Sequence, residues 1–464
     1  MALVFEQFLN PGIGDASYLV GDDSARVAAV IDPQVDVHRY VTAARGHGLA
    51  ITHVVQTHIH EDFVSGATAL ANACGGAEVC VSGHDAPSYG FEHRLVKDGD
   101  ALELGSVVLT VRHTPGHTPE HISLLVARKA RTDAPFAVLS GGSLLVAAAG
   151  RTDLLGTERV EQLTRAQFST LRAFFLALDD GVQVYPTHVH GSPCGAAIGD
   201  KTSTTIGYER RHNPLLQQTH EESFRDEALG KLPPKPRYYP RLKERNTADP
   251  PTGSPSTAVR PLPPAAFRKA LDADCVVLDT RHHLAFGGSH ITGAWNIGAS
   301  GPLSIWAGWM IEPERPLLLV LESDDKLSEV VADLARTGFE RFSGYLAGGM
   351  SGWENAGLPL QALHQLHVTE AAKACRQGTL TLLDVRSMQE WEQGHAPGAR
   401  HVFLPDLPSQ LARLPKAERI AVYCGSGYRA SIAASVLQAA GFNVANIPGS
   451  WQAWRACELP VEKG

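Results

Sequence analysis

Two histidines and a carboxylate stand close together in segment 57–62, which reads THIHED and follows a short apolar run. His58 and His60 are one residue apart, Asp62 comes next, and a further histidine, His117, follows a Thr-Pro-Gly turn. A strand that ends just before this segment lets the following loop turn both imidazoles toward one point. Neutral imidazole is a ligand for iron, zinc and copper. The N-terminal half is therefore predicted to hold a metal.

A second reactive segment, 422–429, reads VYCGSGYR near the C-terminus. An apolar strand runs into a glycine-containing loop that opens a helix, so backbone N–H groups and the positive helix end can act on the sulfur of Cys424. Both effects favour a thiolate, which attacks at neutral pH and, once loaded, is stabilised as a persulfide anion. Arg429 can reinforce the same field; the bland alternative is an inert core cysteine. The loop residues expected to surround a bound sulfur are Gly425, Ser426, Gly427 and Tyr428.

Composition narrows the classes of protein to which the chain can belong. At 464 residues, with 44% hydrophobic and 19% charged residues, the chain predicts two to four globular domains. A formal net charge of −8 without a basic cluster argues against nucleic acid as a partner, and the sequence lacks a long apolar segment that would span a membrane. Seven dispersed cysteines and an N-terminus unlike a secretory signal make the cytoplasm the expected compartment.

Proline marks the main boundary, with ten prolines between positions 233 and 264. We expect a first domain over 1–246, a linker over 247–262, and two further domains over 263–362 and 363–464. The last two repeat each other: DTR followed by SHITGA in the first copy matches DVR followed by GHAPGA in the second, 105 residues later. Alternating strand and helix patterns predict an α/β architecture, with covered sheets in the first domain.

The second copy resembles the rhodanese sulfurtransferases over about residues 366–461. The resemblance rests on the Cys-x-x-x-x-Arg loop, the upstream DVR motif, Glu390, His395 and the late Trp454. It implies that Cys424 carries sulfane sulfur as a persulfide and that Arg429 assists. In the first copy Leu321 occupies the position of the cysteine, so this copy is similar to a degenerate rhodanese with a role in packing or positioning.

Residues 1–245 resemble the metallo-β-lactamase superfamily, an αββα sandwich. Its hydrolases use a fourth metal-binding histidine where this chain has Phe63. The closer resemblance is to the persulfide dioxygenases, which bind one Fe(II) through two histidines and a carboxylate. That resemblance implies His58 and His117 as ligands, with His60, Asp62 and His188 outside them. Gly142 stands where the third ligand, an aspartate, is expected, so another group such as His60 or Asp62 is a candidate replacement.

Three further positions follow from the same resemblance. Arg151, in the sequence GRTD, is expected to face an anionic substrate, and Tyr185 resembles an active-site tyrosine. Cys194 follows the His188 segment and is a candidate to receive or relay sulfur; an inert loop thiol is the equal alternative.

The whole chain is similar to fusions of a persulfide dioxygenase with rhodanese domains. The resemblance implies oxidation of low-molecular-weight thiol persulfides by O2 to sulfite, with sulfur transferred through Cys424 to make or use thiosulfate. It allows a homo-oligomer. One alternative is a two-Zn(II) thioester hydrolase of glyoxalase II type fused to a sulfurtransferase. Another is a sulfurtransferase alone, with a metal-deficient scaffold domain.

Overall fold

The structure is a computed structural model that describes residues 3–85, 87–255, 258–271 and 274–463. It divides into two compact units, Met1–Pro255 with Ala335–Gly338, and Ser256–Leu334 with Phe339–Gly464. Residues 256 and 257 of the predicted linker lie outside the described residues. Within those residues, every helix is too short or too polar to cross a bilayer.

The first unit contains two six-stranded sheets and a small hairpin. In the first sheet the strands lie in chain order, and in the second the order is β14-β13-β10-β9-β8-β7. The strands are β1 (Leu3–Asn10), β2 (Asp15–Asp22), β3 (Val27–Ile31), β4 (Ala50–Val55), β5 (Glu78–Ser82), β6 (Arg94–Val96), β7 (Ala101–Leu104), β8 (Val107–His113), β9 (Ile122–Arg128), β10 (Ala137–Gly141), β11 (Leu144–Leu145), β12 (Ala148–Ala149), β13 (Gln183–Pro186) and β14 (Thr204–Thr205).

Helices cover the outer faces of these sheets. They are α1 (His38–Gly46), α2 (Ala67–Ala73), α3 (Thr157–Ala173), α4 (Ile206–His212), α5 (Pro214–Gln217), α6 (Glu221–Gly230) and α7 (Tyr239–Ala248), with a 3-10 turn at Phe175–Ala177. Side chains such as Tyr18 and Leu109 fill the core between the sheets. Tyr40 of α1 and Leu171 of α3 belong to two further apolar clusters, which join these helices to the sheets. This αββα arrangement confirms the predicted fold of the first domain.

The second unit contains two five-stranded sheets, ordered β15-β19-β18-β16-β17 and β20-β24-β23-β21-β22, with all pairings parallel. The first copy has β15 (Pro261–Leu262), β16 (Val276–Asp279), β17 (Trp295–Asn296), β18 (Leu317–Val320) and β19 (Phe342–Leu346). The second copy has β20 (His364–Gln365), β21 (Thr381–Asp384), β22 (Arg400–His401), β23 (Ile420–Tyr423) and β24 (Val444–Asn446). The equal strand orders confirm the predicted pair of α/β domains.

Helices follow the strands of both copies. They are α8 (Pro264–Lys269), α9 (His283–Gly288), α10 (Leu303–Met310), α11 (Leu327–Arg336) and α12 (Gly349–Asn355), then α13 (Val368–Arg376), α14 (Met388–Glu392), α15 (Leu407–Gln410), α16 (Tyr428–Ala439) and α17 (Ser450–Ala456). Short 3-10 turns lie at Asp324–Lys326, Leu404–Asp406 and Leu411–Arg413. Helix α16 ends before Gly441, whose φ of 80° is readily adopted only by glycine.

Both copies keep the same internal supports. A buried Asp–Arg pair follows the second strand of each sheet, Asp279 with Arg281 at 2.7 Å and Asp384 with Arg386 at 2.6 Å. The copies differ after the central strand, where β18 leads into Leu321 and β23 leads into Cys424. The first copy therefore keeps the supports of the fold without the reactive sulfur.

One boundary differs from the sequence interpretation. The predicted linker begins inside helix α7, which extends to Ala248. Before the linker, Tyr238 and Tyr239 are both buried.

Candidate functional site

A carboxylate at the end of β3 fixes the histidine-bearing loop. Asp32 accepts hydrogen bonds from the backbone N–H of Thr57 at 2.7 Å and from its hydroxyl at 2.8 Å. The Thr187 hydroxyl donates to the same carboxylate at 2.5 Å. Burial alone would raise the pKa of Asp32, but His60 and these hydrogen bonds outweigh burial and lower it. An ionised Asp32 therefore anchors the two loops that carry Thr57 and Thr187. We call the surroundings of His58, His117 and His188 the histidine pocket.

Three imidazoles converge above this anchor, and each is oriented through Nδ1. The His58 Nδ1 lies 2.9 Å from the Thr57 hydroxyl, which already donates its proton to Asp32, so Nδ1 of His58 must be the donor. The His117 Nδ1 donates to the Arg151 carbonyl at 2.8 Å. These bonds leave a lone pair on Nε2 of each ring, the state that a metal-binding histidine requires.

His188 is the third member of this group. Its Nδ1 donates to Asp15 at 2.7 Å and lies 3.1 Å from Asp62. Within the described residues its buried Nε2 has no hydrogen-bond partner. Candidate ligand atoms of His58, His117 and His188 all lie within 4.8 Å of one another. Burial lowers the pKa of His188, but the carboxylates of Asp62 and Asp15 outweigh burial and raise it to about 10.

A second possible ligand group, His60, Asp62 and His188, shares His188 with the first. The ring of His60 stacks on Phe63 with centroids 4.2 Å apart, and its Nε2 lies 3.1 Å from Asp32. Within the described residues both ring nitrogens of His60 also lack a hydrogen-bond partner. Because His188 belongs to both groups, a given nitrogen of its ring can serve only one of them at a time.

His121 lies in the same cluster, and the sequence analysis missed it. Its ring stacks beside that of His58 with centroids 5.1 Å apart. Its Nδ1 is 2.8 Å from the Thr114 hydroxyl, and its Nε2 accepts from the backbone N–H of Gly142 at 2.8 Å. Because both nitrogens are engaged, His121 supports the pocket rather than joining the ligand group. A histidine four residues after His117 was the available signal.

Gly142 stands against the ring of His117. A Cβ built at this position would overlap the imidazole, with Nε2 only 2.8 Å away. The ring therefore occupies the space that a side chain at 142 would need. His188, which the sequence analysis placed outside the ligands, lies in a candidate ligand group; the sequence analysis had named His60 and Asp62 as candidate replacements for the missing aspartate.

Two other predicted residues have different surroundings from those expected. Arg151 is 3% exposed, and its guanidinium contacts Asp153 at 2.7 and 2.9 Å and the Pro193 carbonyl at 2.9 Å. These bonds occupy the groups that we expected to face an anion. Tyr185 packs against Phe5 and Tyr18 and donates its hydroxyl to Gln183, so its contacts lie outside the histidine cluster.

Cys194 is buried at the edge of the pocket. Its thiol donates to Asp62 at 3.4 Å and lies 3.4 Å from the Tyr239 hydroxyl. Burial, followed by the charges of Asp62 and Asp15, raises the pKa of this thiol well above its ordinary value. The side chain is thus a protonated neighbour of Asp62, and sulfur relay through it stays a prediction.

Helix α7 closes the pocket from the side. The Asn246 amide donates to the carbonyls of His60 and Phe63 at 2.8 and 2.7 Å, and its oxygen accepts from the N–H of Ser65 at 2.8 Å. Lys243 pairs with the buried Glu61 at 2.8 Å. The last residues of the predicted first domain, just before the predicted linker, therefore hold the histidine loop in place.

The sulfur loop, residues 424–429, has the form that the sequence predicted. Cys424 is 1% exposed, and its sulfur accepts from the backbone N–H of Gly427 at 3.2 Å. Gly427 has a φ of 115°, which lets this N–H point at the sulfur as helix α16 begins. Gly425 and the exposed Ser426 form the outer part of the loop.

The cation beside the loop is held in place. Arg429 donates to both oxygens of Glu390 at 2.7 Å, and Glu390 also caps helix α14 through Ser387. Burial opposes ionisation of Glu390, but Arg429 outweighs burial and lowers the pKa of the carboxyl to about 2. Glu390 thus fixes the Arg429 guanidinium near the loop, and this position does not depend on a contact with the sulfur.

Two buried carboxylates escaped sequence reasoning. Asp15, on β2, orients His188, and Asp32, after β3, anchors the loop of His58. The signal for Asp32 was an acidic residue directly after a wholly apolar strand. Asp15 carries no local signal, because its role depends on His188, 173 residues away.

Known proteins match both halves of the chain. Residues 11–129 match the metallo-beta-lactamase superfamily, and residues 263–356 and 367–457 match the rhodanese-like domain. A solved structure titled as a metallo-beta-lactamase from Staphylococcus aureus subsp. aureus COL is 30% identical, covers 75% of this chain and 99% of its own, and has a TM-score of 0.67. Fold and matches define a metallo-β-lactamase domain followed by two rhodanese-like domains. The chain belongs to the metallo-beta-lactamase superfamily.

Two curated relatives each match about half of this chain. Persulfide dioxygenase ETHE1, mitochondrial, of Mus musculus is 26% identical over 222 residues, which are 47% of this chain and 78% of that protein. The hydroxyacylglutathione hydrolase-like protein of Mus musculus is 27% identical over 269 residues, 53% of this chain and 90% of that protein. The predicted resemblance to a dioxygenase–rhodanese fusion is confirmed.

Proposed function

We propose that this protein oxidises low-molecular-weight thiol persulfides with O2 and transfers sulfane sulfur through Cys424. The observation that carries the first part is the group of His58, His117 and His188, each with one nitrogen bonded to protein and one directed inward. The relative named persulfide dioxygenase supports the choice of substrate. The complete loop around Cys424 supports the second part.

The residues present fit one metal ion. The orphaned Nε2 of His188 is a buried polar atom whose desolvation would go uncompensated without a ligand. Neutral imidazoles suit ferrous iron, so the proton that Asp62 and Asp15 favour on His188 would leave its Nε2 when the ion binds. Three protein ligands would leave positions for O2 and a substrate sulfur. When bound, Fe(II) would supply the activation of O2. His58, His117 and His188 would hold it, replacing the carboxylate that Gly142 does not provide.

The surrounding residues keep Nδ1 of each histidine protonated and fix the orientation of each ring. Thr57 and the Arg151 carbonyl accept the Nδ1 protons of His58 and His117, and Asp15 accepts that of His188. In the overall reaction the outer sulfur of the persulfide is oxidised and O2 is reduced. For a neutral persulfide RSSH, the sulfite dianion forms with two oxygens from O2 and one from water, the thiol RSH is released, and two protons leave.

The sulfur transfer needs no metal. The Cys424 thiolate attacks the outer sulfur of thiosulfate, a new S–S bond forms, the donor S–S bond breaks, and sulfite leaves with its electron pair. The Gly427 N–H stabilises the negative sulfur. An acceptor thiolate then takes the sulfur by the same exchange, and the reverse direction makes thiosulfate from sulfite. Fusion in one chain raises the local concentration of the shared sulfite and persulfide.

The zinc hydrolase is the rival with some support, because His60, Asp62 and His188 form a second ligand group and a hydrolase-like relative matches. Two zinc ions would have to share His188, because this residue belongs to both ligand groups and one of its nitrogens can bind only one ion. A sulfurtransferase with an inactive first domain is the other rival. Metal counting and oxygen uptake separate all three.

The test uses the full chain loaded anaerobically with ferrous iron. We expect one iron per chain, O2 uptake on adding glutathione persulfide, and a mass increase of one sulfur atom on Cys424 after thiosulfate treatment. Cys424→Ser should keep the O2 uptake and lose the mass increase. Two zinc ions with thioester cleavage would favour the hydrolase. Bound iron without O2 uptake would overturn the dioxygenase assignment, and an unmodified Cys424 would overturn the transferase assignment.

A further inference from the structure

The first rhodanese copy has lost its cysteine, yet it touches the sulfur loop of the second copy. Tyr428, which stands in that loop directly before Arg429, donates its hydroxyl to the Gly298 carbonyl of the first copy at 2.8 Å. Burial raises the pKa of this hydroxyl, so it stays a donor. The residue therefore joins the reactive loop of one copy to the backbone of the other.

Two glycines form the receiving surface, which we call the tyrosine socket (Gly298 and Gly301). A Cβ at Gly301 would lie only 2.5 Å from a ring carbon of Tyr428, closer than real contacts allow. A Cβ at Gly298 would lie 3.7 Å from the same ring, an ordinary contact, and 3.0 Å from the Arg281 carbonyl oxygen. The ring thus rests directly on backbone at Gly301, and a side chain there would push it out.

Asn296 makes a second contact just beyond the socket. Its oxygen accepts from the Ser431 hydroxyl at 2.8 Å, and its backbone N–H donates to the Ser435 hydroxyl at 2.9 Å. Its amide group donates to the carbonyls of Asp279 and Arg281 at 3.0 Å, so the residue is itself fixed in the first copy. Helix α16 is held over its first two turns.

We propose that the degenerate copy is a positioning partner for the sulfur loop, acting through the tyrosine socket and Asn296. The inference rests on the proposed sulfur transfer through Cys424. The Gly427 N–H that reaches the Cys424 sulfur lies next to Tyr428, and a Cβ at Gly427 would lie 3.7 Å from the His283 imidazole of the first copy. Displacement of Tyr428 would therefore move the donor that faces the reacting sulfur.

The test is a double-mutant cycle between Gly301→Ala and Tyr428→Ala. Gly301→Ala should lower kcat for thiosulfate-to-thiol transfer by about tenfold or more with little change in KM, because small misplacements of reacting groups are costly. In the Tyr428→Ala background the ring is gone, so Gly301→Ala should have no further effect. Tyr428→Phe keeps the ring and loses only one hydrogen bond, so it should recover most of the activity lost in Tyr428→Ala.

Gly288→Ala is the matched control, because a Cβ at Gly288 meets no atom within 4 Å. It should transfer sulfur like the unmodified protein, and thermal unfolding of every variant should confirm a folded second unit. If Gly301→Ala behaves like Gly288→Ala, or if its effect simply adds to that of Tyr428→Ala, the positioning role is wrong while the transferase assignment stands. If the unmodified protein accepts no sulfur, the transferase assignment itself fails.

Discussion

The sulfur loop and the histidine pocket are built in different ways. The loop groups its reactive residues within 424–429, where one strand end, one glycine turn and one helix start set the geometry. The pocket brings together Asp15, Asp32, His58, His117 and His188 from separate strands and loops of the first unit. The loop takes its shape from one short segment, whereas the shape of the pocket depends on many long-range contacts at once.

The two sites also differ in how their charges are compensated. Arg429 and Glu390 are 21% and 35% exposed, so water shares the work of solvating them. His188 is fully buried, and the buried side chains of Asp15 and Asp62 beside it compensate its charge. Loss of a partner should therefore cost far more in the pocket than beside the loop.

The largest effect is expected for His188→Ala. Removal of the imidazole leaves Asp15 and Asp62 buried together without a cation, which should lower the free energy of unfolding by about 3–5 kcal/mol. Iron affinity should fall more than about 100-fold, the upper range for groups that only orient a ligand. Urea unfolding and metal analysis of the folded protein measure the two effects.

His121→Ala serves as the control for ligand loss, since both nitrogens of His121 are already hydrogen-bonded. It should disturb the stability of the pocket and leave the iron stoichiometry at one. Retention of iron by His188→Ala together with its loss in His121→Ala would reverse our assignment of the third ligand.

The same difference explains what the sequence could predict. The strand, glycines and helix around Cys424 lie in one short segment, so the sequence alone predicted the sulfur loop. One short segment of the first copy likewise showed that Leu321 replaces the reactive cysteine. His58 and His117 were also found, because their turns are local. Asp15 was not, and His188 was assigned an outer role, because the pairing of β2 with the loop after β13 is a tertiary contact without a short motif.

Gly142 offers a smaller test of the pocket. Gly142→Ala adds only a Cβ, which must displace the His117 ring and should cost about 1–3 kcal/mol of stability. Gly142→Asp meets the same clash but adds a carboxylate beside the ligands. We expect the aspartate variant to retain iron about tenfold better than the alanine variant in a chelator competition, since carboxylate joins imidazole in ferrous sites. Equal retention would show that position 142 lies outside the reach of the metal.

The smallest effect is expected beside the sulfur loop, for Glu390→Gln. The pair with Arg429 is partly exposed, so at neutral pH its loss should cost about 1 kcal/mol or less. Because the folded pKa of Glu390 is lowered from 4.5 to about 2, the stability from this pair is fully present above pH 4.5. It is lost as the pH falls toward 2, so the variant and the unmodified protein should become equally stable there.

Urea unfolding across this pH window measures the difference, and Glu392→Gln on the same helix provides the control at an exposed position. Other carboxyl groups titrate in the same range, but they cancel when the two proteins are compared. A stability difference that stays constant between pH 4.5 and 2 would mean that Glu390 acts by packing rather than by charge. The histidine pocket and the sulfur loop would then differ in burial alone, and not in how their charged groups are compensated.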